Sequence, residues 1–318
     1  MLRQCPITSN PLDTTEYSDA VLESFYKSSN SRFIVLEKIS NHRGFCTTLS
    51  SGSIFLNYSE ISALSPNEQT IAYLGTLRGT PIFTFLNQGE TNREFADLTT
   101  ILTIFSDEDQ SLVSQAICVV SFLASHSFCS NCGKALCHKL YHKYVTCSPC
   151  KIQLYPDYHP CVIFIIQDEA GERMLLTHRK DRVEMPQKSD LIPKIWTHVA
   201  GFVDSGETFE KAIARESVEE ANIVIDESTL QYISSQPWPH TNSLMFAAMV
   251  TASDDSKMKP DGDELDEIRW VSKDLLKEAI EARKNDGEIV DPEDPRFSFE
   301  LPPNFTIAAY MIEWWAQQ

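Results

Sequence analysis

The stretch that decides the fold of this chain runs from residue 201 to residue 222 and reads GFVDSGETFEKAIARESVEEAN. Its second half predicts a helix, because Thr208 can cap it and Gly206 allows a tight turn just before it. One side of that helix is an apolar stripe that can be buried, and it consists of Ala214, Val218 and Ala221. The other side is acidic. Three acidic residues, three and four apart, fall within about 100° of one another on one face: Glu216, Glu219 and Glu220.

These three carboxylates predict a metal site. Like charges on one helix face destabilise the helix unless cations compensate them. Hard divalent cations such as Mg²⁺ and Mn²⁺ prefer carboxylate oxygen, which makes them the natural compensators. A plain solvated acidic face has the same composition, and by charge count alone that interpretation is favoured. The spacing of the residues around the face decides between the two.

That spacing resembles the Nudix box, Gly-x5-Glu-x7-Arg-Glu-U-x-Glu-Glu-x-Gly-U, in which U is an apolar residue. The matching positions are Gly201, Glu207, Arg215, Glu216, Glu219 and Glu220. Ser217 replaces the first U, and we expect it to loosen one packing contact without touching the acidic face. Asn222 replaces the last Gly, and we expect a mild effect because Asn tolerates the left-handed backbone at a helix end.

A second motif narrows the resemblance. Residues 235–243 read SQPWPHTNS and resemble the SQPWPFPxS signature that follows the box in NADH pyrophosphatases of the Nudix superfamily. That family also has an upstream four-cysteine ribbon, a Tyr-Pro pair (here Tyr155-Pro156) and a closing Ile-Ala segment (here Ile307-Ala308). His240-Thr241 replaces Phe-Pro, and Asp157 stands where Arg is common, so these departures bear on substrate preference. The resemblance covers residues 116–318, and more weakly the whole chain.

Residue types alone predict a rigid binding loop over residues 236–243. Two prolines restrict its backbone, Trp238 offers a broad apolar surface, and Gln, Asn and Ser offer hydrogen bonds. Without the family resemblance, a proline-rich connection with a core tryptophan fits this segment equally well.

Two Cys-x2-Cys pairs, 14 residues apart, predict a structural zinc site. Four thiolates complete a closed tetrahedral shell, which leaves no position for water. The four ligands are Cys129, Cys132, Cys147 and Cys150. Cys137-His138 between the pairs offers substitute ligands. The same segment contains four lysines and no acidic residue, so it is either a solvated loop that balances thiolate charge or a phosphate-contacting surface.

The chain divides into three predicted parts, with an α+β fold overall and an α/β/α sandwich at its C-terminal end. Residues 1–125 form a mixed N-terminal domain without a chemical motif, 126–156 the zinc ribbon, and 157–318 the Nudix domain. In the first part, apolar runs predict strands at 32–36, 52–56 and 81–86, followed by a helix over 107–126. In the last part, strands are predicted at 162–167, 174–178, 244–251 and 267–271, and closing helices at 273–283 and 306–318.

Composition excludes several classes of protein. The chain has 318 residues, of which 42% are hydrophobic and 23% charged, as in ordinary globular proteins. No apolar run has the ~18 residues of a membrane helix, and the first residues lack a signal-peptide core. A net charge of −18 argues against a general polyanion binder. Nine cysteines without an export signal favour reduced thiols and an intracellular, cytoplasmic location, with peroxisome and mitochondrion as alternatives.

The resemblance implies hydrolysis of the pyrophosphate bond of NADH or NAD⁺ to AMP and nicotinamide mononucleotide, in an enzyme that forms a homodimer. Glu216, Glu219 and Glu220 are the implied catalytic residues, and they bind two or three Mg²⁺ or Mn²⁺ together with the Ala200 carbonyl and Glu264. Glu207 and Arg215 hold loop and helix together. The implied substrate contacts are Tyr155, Gln236, Pro237, Trp238, Pro239, His240, Thr241, Asn242, Ser243 and Ala308.

Three alternatives stay open at this point. NAD-capped RNA contains the same bond at the end of a longer substrate, and family members remove such caps. A Nudix hydrolase acting on ADP-ribose or another nucleoside diphosphate needs the same carboxylates. A catalytically weak binding protein that keeps only its zinc is a third alternative, and the complete set of acidic residues argues against it.

Overall fold

The computed structural model describes residues 10–38, 45–90, 92–180, 195–239, 241–286 and 300–318. These residues divide into two compact units. The N-terminal unit comprises Ile7–Tyr158 together with Pro237–Asn242, and the C-terminal unit comprises His159–Gln236 and Ser243–Gln318. None of the described helices is long and apolar enough to cross a lipid bilayer.

The N-terminal unit is built on a mixed six-stranded sheet of order β4-β5-β1-β2-β6, with β3 paired to β1. Its strands are β1 (Arg32–Lys38), β2 (Phe45–Thr48), β3 (Leu56–Asn57), β4 (Ala72–Leu77), β5 (Thr80–Asn87) and β6 (Phe95–Asp97). Its helices are α1 (Asp19–Tyr26), α2 (Tyr58–Ile61), α3 (Leu98–Ile104) and α4 (Asp107–Ser125), with a 3₁₀ turn at Glu68–Thr70. Phe33, Phe83 and Phe85 are fully buried in its core.

The predicted helix is confirmed as α4, which begins after Ser106, whose hydroxyl accepts a hydrogen bond from the Asp109 amide. The strand predicted over 52–56 is wrong except for its last residue. Ser51 and Gly52 both have positive φ angles, of 50° and 79°, and Ser50 pairs with Ser53 across the resulting turn. The chain therefore reverses direction there, which the apolar composition of the run does not reveal.

A separate three-stranded sheet forms the ribbon segment of the N-terminal unit. Its antiparallel strands are β7 (Cys137–His138), β8 (Val145–Cys147) and β9 (Ile152–Leu154). The turn between β7 and β8 reaches β4, because the Tyr73 amide donates to the Tyr141 carbonyl at 2.9 Å and the Tyr141 amide donates to Ile71 at 3.0 Å. The ribbon is thus attached to the N-terminal sheet through main-chain hydrogen bonds.

The C-terminal unit contains a seven-stranded mixed sheet of order β12-β11-β10-β15-β14, with β13 paired to β10 and β16 to β11. Its strands are β10 (His159–Gln167), β11 (Arg173–Arg179), β12 (Trp196–Thr197), β13 (Val199–Phe202), β14 (Val224–Trp238), β15 (Ser243–Asp254) and β16 (Leu265–Ser272). Its helices are α5 (Phe209–Ala221), α6 (Lys273–Asp286) and α7 (Ile307–Ala316).

Helices cover both faces of this sheet, as predicted. Successive side chains of a strand point to opposite faces, and the central strand β10 is buried on both. Ile163 and Ile165 pack in one core with α6 and α7. Val162, Phe164 and Ile166 pack in the other core with α5. A central strand buried on both faces is a continuous apolar run, which is why the sequence pattern located it.

The long strand β14 was not predicted from the sequence. Its 15 residues are mostly polar and at least partly exposed, since β14 is the last strand of the sheet order. An edge strand of this kind lacks the apolar alternation that pattern reasoning uses. The predicted loop over 236–243 is accordingly corrected at its start, where Gln236, Pro237 and Trp238 belong to β14.

Candidate functional site: a carboxylate helix and a four-cysteine cluster

Helix α5 is closed at both ends by residues of the motif. The Thr208 hydroxyl accepts a hydrogen bond from the Lys211 amide at 3.4 Å. At the other end Asn222 adopts the left-handed conformation expected of it, with φ 53° and ψ 42°. Ser217 is fully buried and its hydroxyl donates to the Ile223 carbonyl at 2.7 Å. The replacement at 217 therefore adds a buried hydrogen bond that ties the helix to the following chain.

The acidic face of α5 is not the solvent-exposed face that charge count alone favoured, because two of its three carboxylates are buried. Glu216 and Glu220 are 8% and 6% exposed, whereas Glu219 is on the surface. The apolar stripe predicted for the opposite side is wrong at Val218, which is 46% exposed. The helix turns its acidic face partly into the protein, because the apolar residues that anchor it are Ala212, Ile213 and Ala221.

Gly201 allows the Glu216 carboxylate to reach strand β13. A Cβ atom at position 201 would lie 1.9 Å from the Oε1 atom of Glu216, a distance that forces one of the groups to move. Gly201 pairs with Val162 of β10, so its backbone is held in the sheet. The glycine of the motif is thus required for space beside the carboxylate.

We expect Gly201→Ala to preserve the fold and to lower kcat/KM by about 10²-fold in a pyrophosphatase assay. The methyl group displaces the end of the flexible Glu216 side chain, which the family resemblance implies is catalytic, and a shift of ~1 Å in such a group costs about this factor. Introduced into a Glu216→Ala background, the same change should cause little further loss, since the clashing carboxylate is gone. Equal losses in both backgrounds would contradict this explanation.

Arg215 connects the helix to the loop before it. Its guanidinium donates to both oxygens of Glu207, at 3.0 and 2.9 Å, and to the Phe202 carbonyl at 2.8 Å. It also donates to Glu216 at 2.7 Å and to Glu219 at 2.9 Å. Hydrogen bonds to Arg215 lower the pKa of Glu207 below its usual range. A planar fork of donors suits this bidentate contact better than a lysine.

Arg215 does not fully compensate the cost of ionising the two buried carboxylates. Burial raises the pKa of Glu216, partly offset by Arg215. Burial, followed by repulsion from Glu216 and Glu264, raises the pKa of Glu220 to about 8. Arg179 acts in the opposite direction on Glu220. Oxygen donors in such an environment are suited to hard divalent cations, which remove the repulsion.

Glu264 precedes strand β16 and is part of this electrostatic group. Its carboxylate accepts a hydrogen bond from Arg179, and its amide donates to the Asp261 carboxylate at 3.0 Å. Asp261 and Arg179 were not among the residues predicted from the sequence. Arg179 ends β11 and Asp261 lies in the loop before β16, both outside any motif, so the sequence contained no signal for them except that Asp261 lies close to Glu264 in the chain. Ala200 lies in β13, paired with Ile163.

The four predicted zinc ligands lie together. The sulfur atoms of Cys129, Cys132, Cys147 and Cys150 are all within 4.8 Å of one another. Backbone amides of Cys132 and Asn131 lower the pKa of the Cys129 thiol to about 7, whereas a hydrogen bond with Cys132 raises the pKa of Cys150. Within the described ranges this is the one group of three or more His, Cys, Asp or Glu with such close ligand atoms. The carboxylates of α5 are spaced more widely, and Cys137 and His138 are outside the cluster.

The ribbon lysines are not a uniformly free surface. Lys139 forms an ion pair with Asp19 at 3.0 Å. Lys143 is partly buried, and its ammonium donates to the Leu74 carbonyl at 3.3 Å. Lys134 is exposed. The ion pair with Asp19 argues against a phosphate contact at Lys139, whereas Lys134 is available to solvent.

The predicted substrate-contacting residues are distributed over both units. Tyr155 is 60% exposed in the N-terminal unit. Gln236 is fully buried, and its amide donates to the Phe305 carbonyl at 2.9 Å and accepts from the Ile307 amide at 2.7 Å. These bonds hold the start of α7 and Ala308. His198, which sequence reasoning missed, is buried and bonds to the Ala308 carbonyl at 3.3 Å.

The remaining residues of this motif end β14 and lead into β15. The Asn242 side chain donates to the Asp157 carbonyl at 2.6 Å, and Asn242 has a positive φ of 54°. The Thr241 amide contacts the Trp238 carbonyl at 3.4 Å, and Ser243 is 2% exposed. The predicted contact at His240 lies outside the described residues.

This fold and this carboxylate helix are typical of a Nudix hydrolase, and the match to the family model agrees. Residues 157–291 match the NUDIX domain. A NUDIX hydrolase of known structure from Nitrosomonas europaea is similar over 46% of this chain and 78% of that chain, with 23% identity and a TM-score of 0.35.

Two relatives identify the group within that class. The NAD-capped RNA hydrolase NudC of Shigella boydii serotype 18 (strain CDC 3083-94 / BS512) is 30% identical over 70% of this chain and 79% of its own length. The protein of that name from Pectobacterium carotovorum subsp. carotovorum (strain PC1) is 34% identical over 64% of this chain. The match spans 64% of the length of this Pectobacterium protein. The chain belongs to the Nudix family that includes the NudC proteins.

Proposed function

We propose that this protein hydrolyses the pyrophosphate bond of NADH and NAD⁺ to nicotinamide mononucleotide and AMP. The observation that carries the proposal is the pair of buried carboxylates, Glu216 and Glu220, of which Glu216 lies beside Gly201 and bonds to Arg215. Every charged position of the Nudix box is present around them, and the relatives named above are NAD-capped RNA hydrolases.

In this proposal Glu216, Glu219, Glu220, Glu264 and the Ala200 carbonyl hold two or three Mg²⁺ or Mn²⁺. When bound, these cations neutralise the pyrophosphate and favour attack by water on phosphorus. The protein's own contribution is positioning. Arg215 and Glu207 keep α5 against the preceding loop through paired hydrogen bonds.

Zinc has a separate, structural role in the proposal, with one ion per chain in the four-cysteine cluster. A homodimer is proposed from the family resemblance, and light scattering on the purified protein tests it. The cytoplasmic location stays a prediction.

The substrate is tested by one panel containing NADH, NAD⁺, ADP-ribose and NAD-capped RNA, each with Mg²⁺ and with Mn²⁺. We expect AMP and nicotinamide mononucleotide from the first two, detected by chromatography, and no turnover without an added divalent ion. Preference for ADP-ribose would support the alternative Nudix substrate. Preference for capped RNA would make the pyrophosphate bond of the NAD cap the main target. No turnover of any substrate would favour the binding-protein alternative.

A further inference from the structure

A second arginine lies at the carboxylates of the C-terminal unit. Arg179 ends β11, and its guanidinium donates a hydrogen bond to the Glu264 carboxylate. Burial and the neighbouring carboxylates raise the pKa of Glu220 and of the Cys161 thiol, and the charge of Arg179 opposes both shifts. The charge therefore acts on the buried side of this group as well as on Glu264. The proposed function gives Arg179 no role.

Arg215, the other arginine of this group, has no donor left for a substrate. A guanidinium has five N–H donors, and those of Arg215 all form the bonds within the protein that are described above. Arg179 differs, because Glu264 is its one hydrogen-bond partner among the described residues. Of the two guanidinium groups, that of Arg179 is therefore the one able to bind an incoming anion.

The main chain next to Arg179 is fixed, whereas its ion pair is open to water. The Lys180 amide donates to the Glu264 carbonyl at 2.8 Å, and the Lys180 ammonium donates to the Gly262 carbonyl at 3.0 Å. The end of β11 is thus held beside the loop before β16 without the ion pair. The side chains of Arg179 and Glu264 are 58% and 36% exposed, and an exposed ion pair changes an equilibrium constant by about fivefold or less. Separation of the pair costs little.

We propose that Arg179 is a substrate-binding residue whose guanidinium leaves Glu264 when a divalent cation occupies that carboxylate, and then donates to the pyrophosphate of the substrate. A dication on Glu264 both replaces the guanidinium and repels it. Arginine suits the new partner, because its planar fork of donors binds phosphate oxygens bidentately. This inference rests on the proposed function, in which Glu264 is a cation ligand and the substrate is a dinucleotide with a pyrophosphate bond.

Calorimetric titration of the zinc-loaded full-length protein with Mg²⁺, without nucleotide, tests the competition for Glu264. The titration is made at about pH 9, where Glu220 is mainly ionised. We expect Arg179→Gln to bind Mg²⁺ about two- to fivefold more tightly than the unmodified protein, because the competing cation is gone. If Arg179 only positioned Glu264, the same substitution would weaken Mg²⁺ binding.

Binding of α,β-methylene-ADP at saturating Mg²⁺ tests the contact with the pyrophosphate. The methylene bridge of this probe resists hydrolysis, so its dissociation constant does not depend on turnover. Arg179→Gln should weaken binding about tenfold or more, since a charge-assisted hydrogen bond is lost, and KM for NADH should rise in parallel. Arg179→Lys should recover part of the affinity, because it keeps the charge and loses the paired donors.

Arg78→Gln is the matched control, since Arg78 forms an exposed ion pair with Glu108 in the N-terminal unit. It should change neither titration. Thermal unfolding checks the fold of each variant, and Arg179→Lys is compared in both titrations if Arg179→Gln is destabilised. The proposal is overturned if loss of the guanidinium does not tighten Mg²⁺ binding, or if it leaves the binding of α,β-methylene-ADP unchanged. Absence of NADH turnover by the unmodified protein would instead contradict the proposed function, and the two titrations would still decide the role of Arg179.

Discussion

Glu219→Gln and Glu220→Gln should each lower kcat by at least ~10²-fold, with the fold intact. Both substitutions keep the shape of the side chain and remove the charge that holds a divalent cation. For Glu220 the expected loss is large because the group is 6% exposed and faces Glu216 and Glu264. The measurement is steady-state hydrolysis of NADH with saturating Mg²⁺ or Mn²⁺.

The same variants should be more stable than the unmodified protein when no divalent ion is present. Above about pH 8, where Glu220 is ionised, Glu220→Gln removes a negative charge that is repelled by Glu216 and Glu264, so the comparison is made above that pH. Differential scanning calorimetry without added Mg²⁺ or Mn²⁺ measures the shift in Tm. Addition of either ion should stabilise the unmodified protein more than the variants.

Glu227→Gln is the matched control. Glu227 is an exposed carboxylate that pairs with Lys211 of α5 at 2.9 Å. Surface ion pairs contribute about 1 kcal/mol or less, so neither kcat nor the response to divalent ions should change appreciably. If Glu219→Gln and Glu220→Gln retain activity like this control, the carboxylate helix is not the catalytic centre.

Cys132→Ser should abolish zinc binding and unfold or aggregate the ribbon. The unmodified protein should retain about one zinc per chain after exhaustive dialysis, because a closed four-thiolate shell binds tightly. With one thiolate missing, the short strands β7, β8 and β9 lose the cross-link between their connections. Elemental analysis measures the metal, and circular dichroism and light scattering follow the fold.

Cys137→Ser is the control for this experiment. Cys137 is an exposed cysteine of the same ribbon that lies outside the four-sulfur group. The zinc content and thermal stability of the Cys137→Ser variant should match those of the unmodified protein. A protein that contains no metal and yet is normally stable would refute the zinc assignment. Zinc-dependent hydrolysis that persists in the Glu219→Gln and Glu220→Gln variants would refute the purely structural role of zinc.

Local sequence determined the parts of this protein that depend on spacing. The Nudix box identified α5 and its acidic residues, because a helix places residues three and four apart on one face. The cysteine pairs identified the ribbon, because each Cys-x2-Cys pair brings two thiolates close enough to bind one metal ion. The continuous apolar run of β10 identified a central strand, since burial on both faces leaves no polar position.

Only the tertiary structure decided which of these groups are buried and what surrounds them. The face that carries Glu216 and Glu220 is turned inward, and Val218 is outside, because α5 is anchored by Ala212 and Ile213 against the sheet. Gly201 and Glu216 are 15 positions apart in the chain but in contact in space. Such contacts depend on how sheets and loops pack over long sequence separations, and local pattern does not encode that packing.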